Sequence, residues 1–569
     1  LTSPVGSETL YVGENRNITW TRTGSFINVK LEYSTNGFFN ELQTAVIAAS
    51  TPAATGTYAW TVPDAIGANL KVRISDAADA TVVAVSTGPF IIKGKLQLTS
   101  PVGGETWIVG QIQNIIWART GSIANAKLEY SIDGGLTYPN TIITSTPAVT
   151  GTYAWTVPDA IGIQVRVRVS DVSDATVFST STANFTIKGS LTVTAPNGGE
   201  VWVVNSAHDI TWTKTGTIST VKLEYSTNGF SDELQTVIII ASTDATGTPA
   251  SSYKYTWTIP DAISSAVKVR ITNNADATVT AKSGTNFKII GSLNLTAPVG
   301  GEKWTVGNPY NITWTKVGSI ANVKLEYSTN GGTTYPNLIV ASTPAGSLLY
   351  AWTIPDAIGL QTRVRLSDAS DVTVFSNSSA NFTILGGFTV TAPNGAEVWI
   401  VNESRNITWA TAGSVANVKL EYSIDGGTTY PNLIIASVVN SGAYAWIVPD
   451  NISNTVRVKV SDVTNADAFK TSNANFKIRG GLTVTSPVGT EIWIVGESRN
   501  ITWTKVGSIA NAKLEYSTDG GTTYSNTITA STPAASGTYA WTVPDAIGLQ
   551  VRVRVSDVSD ATVFSTSAA

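Results

Sequence analysis

The side chains able to do chemistry recur along this chain instead of converging. Glu105, Glu129 and Asp159 each have counterparts at near-constant spacing along the 569 residues. A glycosidase needs one acid and one base held across a single bond, and carboxylates present six times over argue against such a site. The single imidazole, His208, has no counterpart and no nucleophile pattern beside it. Ser-His-Asp and Cys-His chemistry are therefore excluded, and His208 reads as a surface substitution. With no Cys there are no disulfides, thiolate metal sites or thiol reactions. Ser-Asp-x-x-Asp recurs at Asp76 with Asp79, Asp171 with Asp174, Asp368 with Asp371, and Asp557 with Asp560. Paired oxygen ligands in a loop suit Ca²⁺, and turn capping accounts for them equally well. No cofactor is expected, with calcium the one candidate ion. An enzyme is not expected.

Other recurring groups suit recognition or assembly. Lys127 and Glu129 on one expected strand face Arg166 and Arg168 on another, and the set returns in every unit with Lys and Arg interchanging. This reads as a cross-strand charge ladder on a solvated face, available for lateral contacts between copies. The 17 Trp fall into three sets. Those of the Asn-Ile-Thr-Trp and Tyr-x-Trp strands are core by alternation. Trp107, Trp304 and their equivalents follow a Gly-rich turn near a domain end, where they would pack between domains or form a sugar-stacking platform. Ser-x-Asp-Gly-Gly-x-Thr-Tyr, as in Ser131 to Tyr138, resembles the Asp-box turn of sialidases and many other β-proteins. It is read here as a hairpin tied down by its Asp side chain. Units one and three depart from it, and Phe38 and Phe39 make their loop a candidate for a specialised partner.

The elements that must position these groups are strands. In Asn500 to Gly521, Ile501 and Trp503 fall on one side and Asn500, Thr502 and Thr504 on the other. After a turn at Gly507, Ala512, Leu514 and Tyr516 alternate with Lys513, Glu515 and Ser517. Pro-x-Gly returns at Pro4, Pro101, Pro196, Pro298, Pro393 and Pro487, spacings of 97, 95, 102, 95 and 94 residues. That period is the size of a small β-sandwich. About seven strand signals per unit predict an all-β chain of six tandem Ig-like or fibronectin-III-like sandwiches. The boundaries are 1–94, 95–189, 190–291, 292–386, 387–480 and 481–569. Joints of one or two residues around Gly94, Gly189, Gly291, Gly386–Gly387 and Gly480 predict a stiff rod of about 200 Å. Unit six stops before its closing strand. The expectation is a window on a longer array, the alternative being a strand supplied by another chain.

Pro-x-Gly-Gly-Glu-x-Trp-x-Val-Gly followed by Asn-Ile-Thr-Trp, well seen from Pro298 to Trp314, resembles the Ig-like domain of KNH-type cell-wall and Ser/Thr-rich GPI-anchored proteins. Leu10, Asn205 and Asn402 depart from the pattern. The resemblance implies an Ig-like sandwich on a cell-wall or extracellular protein and transfers no catalytic residue; it does not distinguish fungal from prokaryotic origin, and the tandem array favours a prokaryotic surface protein. Composition agrees: Thr, Ser, Asn and Gly are abundant, and a net charge of −4 disfavours nucleic acid. No apolar run is long enough to span a bilayer as a helix. The function expected is a non-enzymatic subunit or segment of a surface fibre, filament or layer, associating with its own copies or neighbouring surface proteins. Alternatives are an adhesin or carbohydrate-binding stalk, and the accessory repeats of a secreted hydrolase.

Overall fold

In a computed structural model of the protein, residues 1–245 and 253–569 are described. The second repeat serves as reference. Its strands are β1 (Lys95–Ser100), β2 (Thr106–Ile108), β3 (Ile112–Thr120), β4 (Asn125–Ser131), β5 (Asn140–Pro147), β6 (Thr152–Thr156), β7 (Gly162–Asp171), β8 (Phe178–Thr180) and β9 (Phe185–Lys188). One sheet has the order β2-β9-β7-β4-β5, with β8 beside β7. The other is β6-β3-β1. The two organising strands of the sequence repeat thus lie in opposite sheets, and the turn at Gly121 crosses the sandwich.

Period-two alternation builds the core. Val165, Val167 and Val169 of β7 are fully buried and meet Ile115, Trp117 and Trp155 from the facing sheet. The Trp117 indole donates to the Ala148 carbonyl at 3.0 Å, so its one polar atom is satisfied inside. The same bond runs from Trp20 to Ala53, from Trp314 to Ala345 and from Trp503 to Ala534, while Trp409 donates to the Asn440 side chain. Three-residue turns of 3₁₀ helix are the only helices among the described residues.

Strand β2 pairs parallel with β9, Trp107 standing opposite Ile187. Sequence alternation alone did not indicate this pair. In the sixth repeat residues 491–494 form no strand; the partner that holds their equivalents elsewhere is the closing strand. Trp493 there lies on an open apolar cleft with Trp541 and Ile547.

The chain divides into two compact units, Leu1–Ile290 and Gly291–Ala569. Within each, consecutive repeats meet at built joints. Asp64 of the first repeat accepts hydrogen bonds from the Ser122 backbone N–H and hydroxyl, both 2.9 Å. Asp159 takes the same bonds from Thr217, and Asp450 from Ser508. Asp356 accepts from the Ser414 hydroxyl. Gly121, at φ +88°, lets this contact form, since a Cβ there would lie 2.9 Å from Val12 Cγ2 across the joint. Gly94 is equally confined, a Cβ there falling 2.7 Å from the Ile123 side chain.

Candidate functional site

The charge ladder is where the alternation placed it, and its carboxylate is covered. Strands β4 and β7 are neighbours, with Glu129 opposite Arg168 and Ser131 opposite Arg166. Glu129 Oε1 lies 2.6 Å from Lys127 Nζ, and Oε2 lies 2.7 Å from Arg168. The ladder was expected on a solvated face, yet Glu129 is only 5% exposed. The reason is a roof. The Asp-box loop between β4 and β5 folds back, and its Tyr138 ring lies 4.6 Å from the Arg168 guanidinium, a cation–π contact. Arg166 donates from Nε to Asn184 Oδ1 at 2.6 Å. In the fourth repeat Arg365 lies over both Tyr335 and Phe375, at 4.1 and 4.9 Å. Burial alone would raise the Glu129 carboxyl. The hydrogen bonds and charges of Lys127 and Arg168 outweigh it and leave the group below the usual carboxylate range.

The loop that makes the roof is fastened by its own side chains. Ser131 donates to Asp133 at 2.5 Å, and the Thr137 N–H and hydroxyl donate to the same carboxylate. The Ser131 hydroxyl foremost, with Thr137, holds Asp133 far below the ordinary Asp range. Repeats one and three close the roof differently. Phe38 lies 4.5 Å over Arg73, whose guanidinium reaches both Glu32 and Glu41. Phe39 next to it is 96% exposed. Phe38 therefore belongs to the roof, and Phe39 remains a surface group.

Trp107 and Trp304 are neither between domains nor on a platform. Both are 6% exposed. Trp107 packs edge-on against Trp155 at 5.8 Å and tilts over Phe185 at 4.8 Å. Trp304 does the same with Trp352 and Phe382, and Tyr310 stacks on it at 5.0 Å. The parallel β2–β9 pair draws this strand into the sheet and turns its Trp into the core of its own domain. His208 takes the position of Tyr310, stacking on Trp202 at 4.6 Å.

The Ser-Asp-x-x-Asp carboxylates are turned to local donors. Asp171 accepts from the Ser173 N–H and hydroxyl, and Asp174 from those of Thr176. Among the described residues no three His, Asp or Glu side chains form a group that could hold a metal ion. Asp174 has a further role that sequence reading missed. Lys93 of the preceding repeat lies 2.9 Å from it, and Arg479 lies 3.0 Å from Asp560 in the same way. Between repeats four and five the Lys position is Leu385 and the Asp position Asn465. Leu385 is buried in the core cluster of the fifth repeat, and Lys303 pairs with Asp467 at 2.7 Å instead. A signal for the joints existed: acceptor and donor are 58 residues apart in all four Asp–Ser/Thr contacts. Asp450→Ala should loosen the joint between repeats five and six while leaving each fold intact. Spin labels on Cys introduced at Ser437 and Ser531 should show a broadened distance distribution with an unchanged melting profile.

Paired sheets of this order, built on alternating strands and crossed at the β3–β4 turn, decide the architecture. The chain is a tandem array of Ig-like sandwiches. No protein-family model matches it, and no curated protein does. Solved structures similar to it include the N-terminal eight Ig domains of Down Syndrome Cell Adhesion Molecule, at 9% identity over 99% of this chain and 71% of that one, TM-score 0.20. Sidekick-1 immunoglobulin domains 1–5 match at 10% identity over 84% of this chain and 97% of that one, TM-score 0.20. A tetra-tandem repeat in the extending region of a large adhesion protein matches at 17% identity over 67% of this chain and 98% of that one, TM-score 0.22. The assignment of the fold rests on the sheets themselves.

Proposed function

We propose that this array is a non-enzymatic structural segment of an extracellular surface fibre or layer, assembling with copies of itself or neighbouring surface proteins. The observation that carries this reading is where the polar groups go. Glu129, Arg168, Asp133, Asp159, Asp171 and Asp174 are each engaged in a ladder, a turn or a joint, and their positions recur from domain to domain, with Asn in place of Asp at Asn36, Asn228, Asn273, Asn330 and Asn465. Chemistry of that kind stiffens domains and fixes successive ones against each other; it asks for no cofactor. Electron microscopy of native, unfractionated material tests the reading. Continuous fibres or sheets support it, and isolated single chains at every concentration overturn it.

A second reading, a glycan-binding stalk, draws support from the loop of the first repeat, where Phe39 is 96% and Leu42 92% exposed. Two apolar side chains this exposed, three residues apart in one loop, are the observation that favours it. On the structural reading, a glycan array probed with the intact chain shows no binding that Phe39→Ala removes. Binding lost more than about ten-fold in that variant, equivalent to about 1.4 kcal/mol, would favour the stalk.

A further inference from the structure

Among the described residues each sandwich has two unpaired sheet edges on one flank, and they are protected differently. In the larger sheet the edge is β5, whose pairing with β4 is broken by two register shifts. Bulges of this kind twist an edge away from a foreign strand. In the smaller sheet the edge is β6, and its register against β3 runs without a shift from Ile112↔Thr156 to Ile116↔Thr152. The Val157 N–H donates to the Gln111 carbonyl, and the Gly151 carbonyl accepts from Trp117. The odd-numbered residues thus bond inward, and the backbone groups of Thr152, Ala154 and Thr156 point to the open side. The turn closes one of them, the Thr150 hydroxyl donating to the Thr152 carbonyl. The side chains of the three even residues are exposed.

The sequence of this edge is unusual for an unprotected one. Natural sheets guard an open edge with charge, Pro or a bulge. Thr57–Thr61, Thr152–Thr156, Leu349–Thr353, Ala443–Ile447 and Thr538–Thr542 contain no charged residue and no Pro. All five keep an unshifted register with their inner neighbour. In three of them the exposed residues read Thr, Ala, Thr, the same in both directions. The third repeat is the exception. There Lys254 stands at the position of Thr152, 66% exposed and 3.0 Å from Asp209, which gives that edge the guard its five siblings lack.

We infer that the five uncharged edges are pairing surfaces for a second copy of this chain. Two copies meet antiparallel about a two-fold axis at the central Ala. Ala154 faces its own equivalent, and Thr152 faces Thr156 of the other copy. Two three-stranded sheets become one of six strands. A sequence that reads the same both ways is self-complementary under such an axis, as an isologous contact requires. Thr–Thr pairs across antiparallel strands add to the backbone bonds. One five-residue edge is weak. Several in one chain let it join more than one copy, because a two-fold axis at one edge leaves the edges of the other repeats free for further copies. This inference rests on the assembly reading above and names its contact.

The test is sedimentation velocity of the full chain over a wide concentration range, with two five-fold variants. One places Lys at Thr57, Thr152, Leu349, Ala443 and Thr538, the substitution the third repeat already tolerates. The other places Glu at the same positions, so that net charge moves the opposite way. Wild-type chain should gain mass with concentration. Both variants should stay single chains to at least about ten-fold higher concentration, with unchanged circular dichroism and melting. Lys254→Thr should shift assembly to lower concentration. If wild-type chain and both variants assemble alike, the edge is not the contact and the assembly reading stands. If only one charge sign blocks assembly, long-range electrostatics is responsible and the edge pairing is overturned. If wild-type chain never assembles, the assembly reading fails with it.

Discussion

Trp304→Ala should unfold the fourth repeat well before its neighbours. The side chain sits between Trp352 and Phe382 in the core, and removing a buried Trp costs about 3–5 kcal/mol through lost burial and the cavity left behind. For a domain of this size the midpoint should fall by more than about 10 °C. Scanning calorimetry should show one transition split from the rest. A Trp serving as a sugar platform would behave in the opposite way, its loss abolishing glycan binding at unchanged stability. The same distinction applies to Trp107→Ala in the second repeat. A wild-type melting profile for either variant would contradict the core assignment.

Glu129→Ala should be the most costly single change in the ladder. It leaves Lys127 and Arg168 facing each other with no counter-charge, where now they lie 2.6 and 2.7 Å from the carboxylate. A fully buried pair broken this way loses about 3–5 kcal/mol. Here the two cations are 37% and 33% exposed, so water screens them, and a loss of about 2 kcal/mol is expected. Chemical denaturation of repeat two in the context of its neighbours measures it. Glu129→Gln keeps the shape and should recover part of the loss. The pH dependence follows from the same pairing. The carboxyls of Glu32, Glu129, Glu421 and Glu515 are all held below their ordinary range by adjacent cations. A group depressed in the fold contributes stability that is complete above its unfolded value, about 4.3. The contribution is lost as pH falls through the lower folded value. Wild-type chain should therefore lose melting temperature on acidification below about pH 4.3, and the Glu129→Ala domain should lose less.

The two results bear on different readings. Stability losses at Trp304 and Glu129 would place both residues in the framework of the repeat and leave β6 and the Phe39 loop as the surfaces open to partners. The roof explains why a ladder of Lys, Glu and Arg so regular in sequence is not a free charged face. Tyr138, Phe230 and Tyr335 lie over it. The cations Lys127 and Arg168 keep about a third of their surface open, 37% and 33%, while the carboxylate between them is closed off.

What the sequence by itself determined is everything local. Alternation in Val165 to Val169 set which side chains point inward, because a strand reverses its faces at every residue. Ser-x-Asp-Gly-Gly-x-Thr marked the turn, because Asp133 and its donors are within a few residues of one another. The repeat marked the joints at their glycines. What only the tertiary structure decided depends on partners distant in the chain. Trp107 is core because β2 runs parallel to β9, about 80 residues away, and a parallel pair leaves no hairpin signature. Glu129 is covered because a loop beyond its own strand folds back over it. The Asp–Ser joints form between residues 58 apart in different domains. Which edge of the sandwich lies open follows from the order of the strands in space. Alternation in one strand carries no information about which strand lies beside it, so burial by a neighbour and exposure at an edge look alike until the sheets are assembled.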